Sequence, residues 1–177
     1  MKSNSKSRKR EREQMEKPLP RAARKRILLV DDDAGVRGSL QDMLVAEDYL
    51  VVPANDGQQA LELIASSSID LVLLDLNMPR KNGWDTFERL SAEHPLVPVI
   101  LITARPNQLF TAVGAGVGAL LEKPLDIPHL LTTIGRLLTE SSEVRLRRLA
   151  RQESPFDYQP SHKGPKNSGI ESADIKP

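Results

Sequence analysis

The chain has 177 residues, no cysteine, and 25 Lys/Arg against 24 Asp/Glu. That is enough for one ordinary domain with polar segments to spare, and it excludes disulfides and thiolate metal sites. The near-neutral total hides a segregation: residues 1–26 carry eleven Lys/Arg and three Glu, whereas residues 27–139 carry seven Lys/Arg and fifteen Asp/Glu. No apolar run approaches the roughly 20 residues needed to cross a bilayer. The opening MKSNSKSRKR is not followed by the apolar core of a secretory signal, so a soluble, cytoplasmic protein without a transmembrane segment is expected.

Residues 1–25 are Lys, Arg, Ser, Glu and Pro with little to bury, and are expected to form a disordered or partly helical basic arm. From there the pattern alternates. RILLVD (26–31) is a short, continuous apolar run. Val36, Leu40, Met43 and Leu44 follow at helical intervals, and YLVVPA (49–54) is the next apolar run. Ala60, Leu61 and Ile64 recur at helical spacing, ahead of LVLLD (71–75). Trp84, Phe87 and Leu90 do the same ahead of PVILIT (98–103). The stretch PNQLFTAVGAGVG (106–118) holds three glycines and predicts a short or frayed fourth helix. ALLEK (119–123) is a weaker fifth strand, and Ile127, Leu130, Leu131, Ile134, Leu137 and Leu138 mark a last amphipathic helix.

Short runs that are apolar throughout suit parallel strands covered on both faces. Strand and helix alternating about five times predict an α/β sheet of right-handed βαβ units over residues 26–139. Residues 140–177 lie beyond it. EVRLRRLARQ (143–152) is read as a charged extension of the last helix, and the Pro/Ser/Gly/Lys mixture from about Gln152 as a disordered tail.

The strand ends carry the chemistry. In a parallel α/β sheet the strand C-termini share one edge, and ligands bind there. Here the first strand runs into Asp31-Asp32-Asp33, the third ends in Asp75 with Asn77 just beyond, the fourth ends in Thr103 and the fifth in Lys123-Pro124. Any single strand-end Asp is unremarkable because turns favour it, and Asp33 alone reads as a helix N-cap. An acidic pair, an Asp, a Thr and a Lys, each at its own strand end, are not independent turn residues. Crowded carboxylates repel, and a hard divalent cation with oxygen ligands relieves that repulsion. Magnesium suits such a set, since it takes few protein ligands and keeps waters and phosphate oxygens.

With ILLVDDD, DGQQALE, LVLLDLNMPRKNG, ILITA and LLEKP in order from about Arg26 to Leu138, the sequence resembles a response-regulator receiver domain of two-component signalling. The resemblance implies a flavodoxin-like, doubly wound five-stranded parallel sheet of order 2-1-3-4-5, a fold whose receiver example is a standard one, flanked by disordered tails. It implies Asp75 as phosphoacceptor and Mg2+ as cofactor, held by Asp32 directly, by Asp31 through water, by Asp75 and by the Asn77 backbone carbonyl. Thr103 would bond the phosphoryl group, and Lys123 would pair with Asp75 and then with a phosphate oxygen, with Lys123–Pro124 cis. Gly83 sits where the family turns into its third helix. A histidine kinase or phosphotransfer protein would supply the phosphoryl group, and the domain would catalyse its own phosphorylation and take part in its dephosphorylation.

Two departures concern transmission. The family carries an aromatic residue three positions before the lysine, where this chain has Leu120. The 20-residue gap from Thr103 to Lys123 is shorter than the family pattern, and the shortage falls in the glycine-rich fourth helix.

Other motifs yield little. GAGVGA (114–119) fits G-x-G-x-x-A but precedes a strand where a dinucleotide site would follow one. His94, His129 and His162 have no ligand spacing. The basic arm suits nucleic acid, an anionic surface or an acidic partner as well as a solvated tail. No output domain is expected in the polar residues beyond 139, and the reading is of a stand-alone, chemotaxis-regulator-like receiver acting on an unidentified downstream protein. One alternative is a receiver-like scaffold whose arm does the binding and whose phosphorylation is vestigial. Another, a magnesium phosphatase of related topology, needs a second Asp where Asn77 stands.

Overall fold

A computed structural model describes residues 24–78, 83–105, 107–150 and 156–161. Strands β1 (Arg26–Val30), β2 (Leu50–Ala54), β3 (Leu71–Asp75), β4 (Val99–Thr103), β5 (Ala119–Glu122) and β6 (Asp157–Gln159) alternate with α1 (Ala34–Ala46), α2 (Gly57–Ser66), α3 (Gly83–Glu93) and α4 (Leu109–Gly114). Two helices in succession, α5 (Ile127–Thr139) and α6 (Ser142–Leu149), separate β5 from β6. The strands form one sheet of order β2-β1-β3-β4-β5-β6, parallel at every pairing. No helix among the described residues is long and apolar enough to cross a membrane.

Every residue of β3 and β4 is buried, because successive side chains point to opposite faces and both faces are covered. One layer joins Leu28, Val30, Val72, Leu74, Leu101 and Leu120 of the sheet to Ala60, Leu61, Ile64, Phe87, Leu90 and Ala112 of α2, α3 and α4. The other joins Ile27, Leu29, Leu71, Leu73, Ile100, Ile102 and Leu121 to Leu40 and Leu44 of α1 and to Leu130, Ile134 and Leu137 of α5. Each fully buried aliphatic side chain contributes about 1.5–3 kcal/mol, so the two layers together fix the orientation of the sheet's carboxyl edge. The helices start where the side chains of Asp33, Asp56, Asp126 and Ser141 accept backbone N–H bonds. The fourth helix is short, as its glycines predict: six residues, with no side-chain cap at Gln108.

Three expectations are corrected. The sheet has six strands where five were expected, and the sixth comes from the segment read as a disordered tail. Asp157, Tyr158 and Gln159 pair in register with Ala119, Leu120 and Leu121. Three residues, one of them acidic, are too short to carry a periodic signal. The charged segment after the last helix does not prolong it either. Glu140 leaves helical geometry (φ −65°, ψ 137°), and Ser141 caps α6 as a separate helix. The buried carboxylate of Glu140 pairs with Arg148 and lies 3.6 Å from Arg145 Nε, while Arg145 donates to the carbonyls of Leu96 (2.6 Å) and Leu137 (2.8 Å). Arg145 and Arg148 of this helix therefore face inward, against the protein, while Glu143 and Arg147 pair at the surface. The expected basic arm lies almost wholly outside the described residues, as does everything after residue 161.

Candidate functional site

The carboxyl edges of β1, β3, β4 and β5 bring Asp31, Asp32, Asp75, Thr103 and Lys123 to one rim. Asp31 and Asp75 are 1% and 3% exposed. Each carboxylate divides its oxygens in the same way. Asp31 Oδ1 accepts from the Asp33 N–H (2.9 Å) and Asp75 Oδ1 from the Asn77 N–H (2.9 Å). The two remaining oxygens face Lys123, whose Nζ donates to Asp75 Oδ2 at 2.7 Å and to Asp31 Oδ2 at 3.1 Å. Burial costs a carboxylate less when its lone pairs are met in this way. Asp32 is exposed at the mouth, and one carboxylate oxygen from each of Asp31, Asp32 and Asp75 lies within 4.8 Å of the others.

Burial raises the Asp31 carboxyl above its ordinary range, against the pull of the Asp33 N–H and of Lys123. For Lys123, burial acts to lower the ammonium, but the Asp75 hydrogen bond and the charges of Asp75 and Asp31 outweigh it, and the net direction is up. The Asp33 side chain takes no part in the cluster. Its carboxylate caps α1, accepting from Gly35 N (2.8 Å) and Val36 N (3.0 Å), and these bonds hold it below the usual range.

Thr103 is fully buried and its hydroxyl does not reach for Asp75. It donates to the Asn77 side-chain oxygen (3.0 Å), which also accepts the Ala104 N–H (2.6 Å). Sequence reasoning assigned Asn77 a backbone role and missed this side-chain bridge. Asn is among the residues whose side chains bond nearby backbone at strand ends, but the partner is 26 residues away and no local signal marks it. Arg37, also missed, donates to the Asp31 carbonyl (2.6 Å). Gly83 opens α3 where a Cβ would lie 2.5 Å from Leu76 Cα and 2.7 Å from the Asp75 carbonyl. Only a hydrogen side chain lets this helix start directly behind the acidic loop. Lys123–Pro124 is cis. An open, largely apolar hollow of about 380 Å³ lies beside Lys123, between the start of α1 and the segment from Pro124 to Ile127.

The donor set is oxygen only, three clustered carboxylates of which two face one ammonium, and the surplus negative charge suits a hard divalent ion. Two other readings are narrowed. GAGVGA runs from the end of α4 into β5, so its glycines open no helix. His129, which has no metal-ligand spacing in the sequence, lies 3.1 Å from Asp157 of β6.

The pattern of the family described as response regulator receiver domain matches residues 27–135. The transcriptional regulatory protein CpxR of Escherichia coli (strain K12) is 43% identical over 118 residues, covering 66% of this chain and 50% of that protein. Response regulator MprA of Mycolicibacterium vanbaalenii is 39% identical over 119 residues, 66% of this chain and 52% of that protein. The chain thus spans about half the length of the curated relatives it matches. Among solved structures, a CheY-like response regulator receiver domain protein from Methanospirillum hungatei JF-1 aligns with a TM-score of 0.64 at 29% identity, covering 68% of this chain and 98% of that one. TrrA from Thermotoga maritima, solved in complex with Mg(2+)-BeF, aligns with a TM-score of 0.60 at 28% identity, covering 64% and 98%.

Proposed function

The chain belongs to the response-regulator receiver family, and on that premise we propose that it is a phosphorylation switch whose acceptor is Asp75. The observation that carries this reading is the Lys123 ammonium held between two buried carboxylates, with the third carboxylate, Asp32, exposed at the mouth beside them. A carboxylate oxygen of Asp75 attacks the phosphorus of a phosphohistidine in line. The P–O bond forms as the P–N bond breaks, and the imidazole leaves. Lys123 keeps its charge and turns to an oxygen of the transferred group. The Thr103 hydroxyl and the Ala104 N–H, now on Asn77, are the nearby donors free to follow once Asn77 releases them.

Asp31, Asp32 and Asp75, with the Asn77 carbonyl, are the residues that would hold magnesium. When bound, it would neutralise charge on the phosphoryl oxygens. The hollow beside Lys123 supports docking of the kinase or phosphotransfer protein at this edge. Output is assigned to protein–protein contact, with hydrolysis of the acyl phosphate returning the switch to rest. The names of CpxR and MprA speak of transcriptional regulation and response regulation, but the match covers about half of each, and the proposal is confined to the receiver's own switch.

Incubation with a small phosphodonor and Mg2+, followed by intact-mass measurement, tests it. One added phosphoryl group is expected, dependent on the divalent ion and absent in Asp75→Asn. An undiminished adduct in that variant would refute the assignment.

A further inference from the structure

The strand β6 lies beyond the segment that matches the family, which ends at residue 135, and it covers the edge of β5, the strand that delivers Lys123. Two carboxylates fasten it. Glu122 of β5 accepts the Tyr158 hydroxyl (2.7 Å) and the Ser161 N–H (2.8 Å). Asp157 of β6 accepts from Thr133 Oγ1 (2.5 Å) of α5, with His129 Nε2 at 3.1 Å and an Arg136 nitrogen at 3.6 Å. Tyr158 stands in register with Leu120 and packs into the layer that includes α4.

Glu122 is locked to the acceptor site on its other side. It pairs in register with Thr103, and the N–H of the next residue, Lys123, donates to the Thr103 carbonyl at 2.7 Å. The residues on either side of this clasp, Thr103 and Lys123, are those whose partners would change, on the acceptor reading, when a phosphoryl group arrives. Docking of β6 is also incompletely satisfied. The buried side-chain amide of Gln159 has no hydrogen-bond partner among the described residues, and an unpaired buried amide weakens whatever buries it.

We propose that β6 is an intramolecular latch on the β5 edge, released when the Asp75 site is loaded. This rests on the acceptor reading above. Both Glu122 bonds already have near-ideal lengths, so a shift of the β5 end toward the site, away from β6, would lengthen them. Release would free a strand edge, which is a ready template for pairing with another extended segment. Coupling of this kind is reciprocal: if loading opens the latch, weakening the latch must tighten loading by the same factor.

The full chain, with Mg2+ and beryllofluoride as an equilibrium mimic of the phosphoryl group, provides the test. Hydrogen exchange in residues 156–161 should quicken by about tenfold on loading, within the usual range of coupling, and should not respond in Asp75→Asn. By calorimetry, Tyr158→Phe and, separately, Asp157→Asn should bind the mimic more tightly than the unaltered chain. Binding with unchanged or slowed exchange, or unaltered affinity in both variants, would overturn the latch and leave the acceptor assignment standing. Absence of binding by the unaltered chain would overturn both.

Discussion

Replacing Lys123 by alanine should convert a compensated site into an uncompensated one. The side chains of Asp31 and Asp75 are 2% and 5% exposed, and that of Lys123 is 24% exposed. Removing one partner of a fully buried ion pair costs about 3–5 kcal/mol. Here each carboxylate keeps one backbone N–H, and water can enter where the partly exposed lysine stood, so a loss of about 2–4 kcal/mol is the reasoned range. In urea unfolding followed by circular dichroism, with chelator present, the midpoint should fall while the slope is unchanged. Magnesium should then recover more stability in Lys123→Ala than in the unaltered chain, because it replaces the missing cation. A ligand at a hundred times its dissociation constant adds about 2.7 kcal/mol. A deficit below about 1 kcal/mol, the size of an exposed pair, or equal stabilisation of both chains by magnesium, would refute the reasoning.

Gly83→Ala should cost about 1–3 kcal/mol and slow loading of Asp75, since a Cβ 2.5 Å from Leu76 Cα forces backbone to move; unaltered thermal stability would contradict this. Glu140→Gln should destabilise by about 2–4 kcal/mol, because it leaves Arg148 buried beside a neutral group, and hydrogen exchange should locate the loss in α6. The clasp of β6 should fail at both ends of the pH scale. Glu122 is held below its ordinary value of 4.5 by the Ser161 N–H and the Tyr158 hydroxyl, against the opposing effect of burial. Its contribution is therefore present above pH 4.5 and lost as pH falls through the depressed folded value, which the Ser161 amide resonance should report. Tyr158 is pushed up to about 12 by Glu122, so its contribution is intact below its unfolded value near 10 and lost as pH rises toward 12. A Tyr158 phenol titrating near 10 would show the clasp to be absent.

Five strands and the helices between them were legible because their signals are local. A continuous apolar run such as LVLLD or VILIT says how both faces of a strand are covered. The intervals from Leu130 to Leu137 say which face of α5 is buried. The gathering of Asp31, Asp32, Asp75 and Lys123 followed from the same pattern, since strands that run parallel must deliver their ends to one edge. Tertiary structure decided what depends on two distant partners. Asn77 chose Thr103 across 26 residues, a pairing that neither residue's neighbours announce. Glu140 drew Arg145 and Arg148 of α6 inward, where a charged segment was expected to prolong the last helix. Residues 157–159 became a strand only because β5 offered an open edge and Glu122 and α5 supplied partners for Tyr158 and Asp157. Three polar residues have no periodicity of their own, so their structure lies wholly in the surface they meet.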